Sequence, residues 1–366
     1  MSIEFVLVAT LVLALAWANG ANDIAKGIAT LVGNGTAPAH RAVWWGTLWT
    51  VVGGLLAILW GGALIRTFSG GFLDPAFHVD LIFVGGTLLG AALWVIIATS
   101  FGLPVSTTHA LLGGVVGAAL VAAGPGGLHL ETVAWKALMP LLVAPLLAIG
   151  LCALILLLAR FVARRLPAWR QGCCEPDEWR RNPFVCADPP VATRSLSCME
   201  RLWVGLHWLS SGATSFARGL NDVPKIAAFL ILAVALVPGA ATSLNADGVA
   251  PWWPIALVAL VMGMGCLWGG MRVLDIMAWR VAPLDASSGL VANSGTAMLV
   301  LFASPLGVPV STTHVSTGAL MGVRWTNRTR PRGNDALRLV LFGWVVTLPV
   351  AAALAALGSS LMMMAR

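Results

Sequence analysis

Two short polar strings occur twice in this chain, in the same order, inside sequence apolar enough to lie in a bilayer. Gly20-Ala21-Asn22-Asp23-Ile24-Ala25-Lys26 returns as Gly219-Leu220-Asn221-Asp222-Val223-Pro224-Lys225. Leu103-Pro104-Val105-Ser106-Thr107-Thr108-His109 returns as Val308-Pro309-Val310-Ser311-Thr312-Thr313-His314. The spacing is alike in both copies, 84 residues from Asn22 to Ser106 and 90 from Asn221 to Ser311. Such a chain must fold as two copies of one half. An acid and a hydroxyl cluster at membrane depth in each half point to a transporter with its site between the halves.

Composition restricts the setting further. Hydrophobic residues make up 58% and charged residues 10%, with a mean hydropathy of +0.88. A soluble domain carries about a quarter charged residues, so this is an all-α polytopic membrane protein. Prokaryotic plasma membrane, the inner one where there are two, is the expected location. The net charge of +7 comes largely from arginines in two loops, where they set topology and give no reason to expect a nucleic-acid partner. The N-terminal run from Phe5 to Ala16 ends in an Ala-x-Ala-like site, but Glu4 replaces a basic start and the matching stretch 202–217 is internal. Both points favour a retained helix over a signal peptide. Cys173, Cys174, Cys186 and Cys198 share one polar loop without a zinc-like spacing and read as free thiols; Cys152 and Cys266 read as packing, and no metal site is expected.

About ten hydrophobic segments are expected, five per half, each near the length needed to cross. They fall near 3–33, 42–65, 80–101, 105–123 and 133–159, then near 202–237, 252–274, 286–303, 309–323 and 339–363. The first and sixth are expected to be interrupted at their Asn-Asp pairs. The repeats are therefore 1–159 and 202–366, separated by 160–201. That connector holds eight arginines against five acids and is cytoplasmic by the positive-inside rule.

The loop after the second Ser-Thr-Thr-His string carries Arg324, Arg328, Arg330, Arg332 and Arg338, whereas 124–132 after the first has no Lys or Arg. Equivalent loops thus face opposite sides. Two inverted repeats with an odd number of crossings each follow, with both termini outside. Re-entrant hairpins at the Ser-Thr-Thr-His strings would change the count and leave the inversion intact.

Pro104 and Pro309 break helix inside apolar sequence. Ser106 and Ser311 then serve as N-caps, with Thr107, Thr108, Thr312 and Thr313 in the first turns. Converging N–H and O–H donors and two helix dipoles suit a tetrahedral oxyanion. Capping alone would explain one copy but not the repetition of six letters at pseudo-symmetric places.

Asp23 and Asp222 are costly inside a membrane unless paired, and such residues usually line an ion or substrate path. Lys26 and Lys225, three residues on, face them if the local chain is helical. A purely structural Asp-Lys bridge is the competing reading. His109 and His314 are candidate proton carriers, or simply donors to a nearby carbonyl.

Taken together, Gly-Ala-Asn-Asp and the distant Pro-Val-Ser-Thr-Thr-His, each doubled in inverted halves, resemble the inorganic phosphate transporter (PiT or Pho4) family over essentially the whole chain. The resemblance implies uptake of inorganic phosphate by alternating access, coupled to sodium in some members and to protons or metal-phosphate complexes in others. It implies that Asn22, Asp23, Asn221 and Asp222 help bind substrate and coupling cation, and that Ser106, Thr107, Thr108, Ser311, Thr312 and Thr313 contact phosphate. No cofactor beyond the coupling ion, H+ or Na+, is implied.

The departures from the family pattern are informative. Lys26 and Lys225 stand where the family has Asn, Leu220 and Pro224 replace alanines, and Arg218 replaces a His or Asn. Two built-in ammonium groups would supply the charge that sodium supplies elsewhere, which favours proton coupling. Members moving sulfate keep sulfate or another tetrahedral oxyanion open as the cargo. A passive anion channel would not need buried aspartates facing an anion. An intramembrane phosphotransferase is the distant alternative, although no D-x-x-D cluster or phosphate-binding loop accompanies the motifs, and no enzyme is expected. A homo-oligomer is compatible with the sequence, which does not fix its state.

Overall fold

In the computed structural model the described residues are 2–165, 198–237, 251–281, 285–327 and 334–365. Residues 166–197, which make up most of the connector 160–201 and include Cys173, Cys174 and Cys186, lie outside them, as do Arg328, Arg330 and Arg332. The first half consists of α1 (Ile3–Gly33), α2 (Ala39–Trp60), α3 (Gly62–Ser69), α4 (Leu81–Ser100), α5 (Thr107–Ala123) and α6 (Met139–Arg165). The second repeats it as α7 (Cys198–Ala235), α8 (Trp252–Gly269), α9 (Met271–Asp275), α10 (Ala286–Ala303), α11 (Thr312–Asn327) and α12 (Asn334–Met364). Each helix matches the one six places later. Packing obeys the same exchange: α2 lies on α7 as α8 lies on α1, and α5 lies on α12 as α11 lies on α6.

Among the described residues eight helices are long and apolar enough to cross a membrane, and the helices fall on the ten expected segments. Their course differs from ten crossings. The chain before α4 and after α5 is joined by a bridge between Leu73 and Leu128 and by the Asp74 amide on the Gly127 carbonyl at 3.1 Å. Both ends of the α4–α5 hairpin thus lie on one face, beside the start of α1 and the end of α12. The α10–α11 hairpin has its ends at the opposite face, where Asn327 donates to Ser288 at 2.8 Å and Arg160 of α6 donates to the Thr326 carbonyl at 3.0 Å. The two tips meet inside the protein, with Thr108 donating to the Val310 carbonyl and Thr313 to the Val105 carbonyl. Each half therefore crosses three times and adds one re-entrant hairpin. The expected count of five crossings per half is corrected, and the odd parity and inversion remain.

A second correction concerns the Asn-Asp motifs, because α1 and α7 run through them without interruption, even at Pro224. The polar side chains turn outward to other elements or to a lysine one turn on, so they do not compete with their own helix backbone. Breaks fall only at the Pro-Val-Ser strings. There Gly102 and Gly307, both at φ +71°, adopt a left-handed conformation that glycine takes without steric cost.

Small residues let these helices close on one another. A side chain at Gly113 or Gly117 of α5 would strike the Leu348 or Ala352 carbonyl of α12, and one at Gly318 or Gly322 of α11 would strike the Pro145 or Ile149 carbonyl of α6. This is small-residue packing of membrane helices, used symmetrically. Two apolar clusters result. The first joins the N-terminal part of α1 to α4 and α5, the second joins its C-terminal part to α6, α10 and α11. Leu142, Leu146, Leu158, Phe342, Val345 and Leu361 point outward from α6 and α12, as a lipid-facing surface requires. Trp44 and Trp252, which open α2 and α8, are likewise exposed, as interfacial anchors are.

Candidate functional site

The two tips and the middles of α1 and α7 form one buried polar cluster. Ser106 caps α5, its Oγ accepting from the His109 amide at 3.2 Å, and Ser311 caps α11 by the same bond to His314 at 3.2 Å. The first intrahelical bonds are made by Ala110 to the Ser106 carbonyl and Val315 to the Ser311 carbonyl. The amides of Thr107, Thr108, Thr312 and Thr313 lie upstream of that ladder, as donors at a helix N-terminus do. Two positive dipole ends therefore face each other at the pseudo-symmetry axis.

Each tip is pinned by a lysine of its own half and a threonine of the other. The Val105 carbonyl accepts from Lys26 at 3.1 Å and from Thr313 at 2.8 Å. The Val310 carbonyl accepts from Lys225 at 2.9 Å and from Thr108 at 3.2 Å. Both expected ion pairs form: Lys26 with Asp23, and Lys225 with Asp222 at 3.4 Å, all four side chains almost wholly buried. The lysines thus tie the acid to the break, which a bridge serving its own helix would not do. Lys225 also donates to Thr108 at 2.8 Å.

Asn22 holds the first break open by using its whole amide. Its Nδ2 donates to the Leu103 carbonyl at 2.8 Å and to Thr99 at 3.0 Å, and its Oδ1 accepts from the Val105 amide at 3.1 Å. These bonds straddle Pro104 and satisfy backbone groups that the proline leaves outside any helix. Asn221 donates to the Val310 carbonyl at 3.2 Å and to Asp222 at 2.8 Å, while Ser304, the counterpart of Thr99, donates to it at 3.2 Å.

The cluster departs from symmetry at the remaining threonines. Thr312 lies 3.4 Å from Asp23 and 3.5 Å from Asp222, so one hydroxyl faces a carboxylate from each half. Thr107 instead accepts from Asn19 at 2.6 Å. His109 and His314 stack face to face, ring centroids 4.3 Å apart and planes 17° apart, each with Nδ1 on its own capping serine. Trp344 of α12 closes over His314 at 4.1 Å.

Two further residues belong here: Asn19, which the motifs do not single out, and Arg218, noted in the sequence only as a departure from the family pattern. Asn19, one turn before Asp23, reaches both Thr107 and Asp23. Arg218, its counterpart on α7, is 1% exposed and sends Nη2 to Thr50 at 2.5 Å and to the Cys266 sulfur at 3.2 Å. Cys266 is therefore an acceptor as well as a packing residue, and Cys152, packed against Gly295 of α10, donates its thiol to the Val291 carbonyl at 3.7 Å. An arginine within a membrane span is itself a signal of function. On the outer side of the second tip, a cavity of about 510 Å³ is lined by Arg66, Thr132, Trp135, Lys136 and the Leu306-Gly307-Val308 turn.

Opposed re-entrant hairpins around a buried charged cluster define a multi-pass membrane transporter. Comparison with known proteins gives the family. Residues 19–355 match the phosphate transporter family, PHO4, and the chain belongs to it. It is 28% identical, over 93% of its length and 90% of the other, to a protein of Rhizobium meliloti described as "probable low-affinity inorganic phosphate transporter". A protein of the same description from Mycobacterium leprae is 27% identical over 96% of this chain and 77% of its own. The solved structure of a sodium-dependent phosphate transporter superposes with a TM-score of 0.81 over 99% of this chain and 100% of that one, at 22% identity, and shows the shared fold. The family consists of transporters, which removes the phosphotransferase alternative.

Proposed function

We propose that this chain imports inorganic phosphate by alternating access and couples that import to protons in place of sodium. The observation that carries the coupling is the placement of Lys26 and Lys225. Each ammonium sits between an aspartate and a tip carbonyl, where a bound cation would need the same oxygens. A tethered charge there leaves no cation to co-transport at that point.

Phosphate would lie between the tips, taking N–H donors from the first turns of α5 and α11. Helix termini and backbone amides suit a tetrahedral oxyanion because several donors converge on one centre without a bulky side chain. Arg66 and Lys136 would raise the local anion concentration on the outer side. Exchange of access then requires the two tips to part and re-form, which the pseudo-symmetric threonine bonds across them permit. Asp23, Asp222 and the stacked His109 and His314 are the groups available to take the coupled proton.

The test is uptake of labelled phosphate into proteoliposomes, with choline replacing sodium, at several external pH values. Uptake that follows the proton gradient in choline is expected, and strict sodium dependence would overturn the coupling. Competition by sulfate stronger than competition by arsenate would overturn phosphate as the cargo. The Lys26→Asn/Lys225→Asn double variant, which restores the family's residues, is expected to gain sodium-stimulated uptake.

A further inference from the structure

The buried ionic side chains in the described residues are two acids, Asp23 and Asp222, and three bases, Lys26, Lys225 and Arg218. Both lysines have a carboxylate partner, and no carboxylate among the described residues lies within 4.0 Å of Arg218. Its contacts are to two neutral groups, Thr50 and Cys266, and its Nε and Nη1 make no hydrogen bond. Arg218 precedes Asp222 by one turn, on the same face of α7. It reaches the seam where α7 meets α2 and α8, within the buried polar cluster. The pseudo-symmetric position holds a neutral amide, Asn19, whose Oδ1 also lacks a partner. The two halves thus differ at this level by one full positive charge.

Asp23 and Asp222 lie within electrostatic range of Arg218, but each is already paired with a lysine. A buried guanidinium with no carboxylate in contact is unfavourable, and such a group is retained where a ligand supplies the missing charge. We propose that Arg218 is the fixed counter-charge for the transported oxyanion, a determinant of anion affinity that the first half does not possess. With two acids against three bases the cluster is one charge positive, and a singly charged tetrahedral oxyanion brings it to neutrality. A doubly charged one then needs a single additional proton. The inference rests on the phosphate reading above and extends it to the charge form of the cargo. It also accounts for the two unpartnered nitrogens, since guanidinium donors match the oxygen pairs of phosphate in spacing and direction.

The test combines binding and transport for wild type, Arg218→Gln and Arg218→Lys. Purified protein in detergent is melted with and without inorganic phosphate, and KM and kcat for phosphate are measured in proteoliposomes. In Arg218→Gln the empty protein should melt at the wild-type temperature or above, because the surplus buried charge, which no carboxylate contacts, has been removed. Its phosphate-induced rise in Tm should vanish and its KM should rise by about tenfold or more with kcat nearly unchanged. Arg218→Lys should recover a good part of that loss in KM. Lowered melting temperature or failure to fold in Arg218→Gln, or a preserved phosphate shift and KM, would overturn the proposal by making the arginine structural. A wild type that takes up no phosphate would instead sink the phosphate reading. The melts repeated with sulfate then still test Arg218, since the shift in wild type should be lost in Arg218→Gln whichever oxyanion is bound.

Discussion

The Lys225 ammonium donates to the Val310 carbonyl oxygen at 2.9 Å, so a charge carried on α7 is fastened to the tip of the α10–α11 hairpin of its own half. The same ammonium is paired with Asp222 at 3.4 Å. Replacing it by methionine leaves a buried aspartate without its partner and strips one donor from the tip. The expected cost is about 3–5 kcal/mol of stability. In the Asp222→Asn/Lys225→Met double variant the orphaned charge is gone, so most of that stability should return while transport stays absent. Thermal melts in detergent compare the three proteins; a double variant as unstable as the single one would deny the coupling between them.

Thr312 makes a different prediction, because its hydroxyl faces Asp23 at 3.4 Å and Asp222 at 3.5 Å, whereas its counterpart Thr107 serves only Asn19. Asp23→Asn and Asp222→Asn should each lower phosphate uptake by about 100-fold, the scale of losing a charge-assisted contact made during turnover. Thr312→Val keeps the shape and removes the hydroxyl that links the two acids, and should impair uptake far more than Thr107→Val. Initial rates of labelled uptake at matched expression decide it, and equal losses from the two valine variants would refute the asymmetry.

Duplication, inversion and the cluster's membership were legible because each depends on residue type at fixed spacing. Pro104 and Ser106 announce a break and a cap in any context, and the arginine counts in 160–201 and from Arg324 to Arg338 fix sidedness. The path of α4 and α5 was not legible, since a 20-residue apolar helix looks the same whether it crosses or returns. Only the Leu73–Leu128 bridge and the tip-to-tip bonds decide that. Nor did Asn22 disclose that its amide would be consumed by Leu103, Thr99 and Val105, because those partners lie about eighty residues away. Arg218 was visible as a departure from the family pattern, yet its lack of an acid partner is a property of the packed structure alone.

Asn22 separates a scaffolding role from a ligand role. Its three hydrogen bonds hold both sides of Pro104, so Asn22→Ala should leave buried backbone groups unpaired and cost about 2–4 kcal/mol. Asn22→Asp should do the same or worse, having no N–H for the Leu103 carbonyl. A melting temperature unchanged in Asn22→Ala, with only KM for phosphate raised, would make this residue a direct ligand.

The stacked rings of His109 and His314 sit where the hairpin tips touch, centroids 4.3 Å apart, and each is anchored to its own tip through a serine. The alternating access proposed above, between hairpins that enter from opposite faces, requires these tips to separate or slide, so under that proposal the ring pair comes apart in each cycle. Covalent linkage across it should hold the protein in one conformation. In a background freed of its own cysteines, the His109→Cys/His314→Cys protein treated with a short bifunctional thiol reagent should lose uptake by about tenfold or more relative to either single variant given the same reagent. Reductive reversal of a disulfide formed in its place should restore what activity the double variant had beforehand. Full uptake by a quantitatively linked protein would mean that the tips move as one body and that access changes elsewhere, at the seam between α2 and α8.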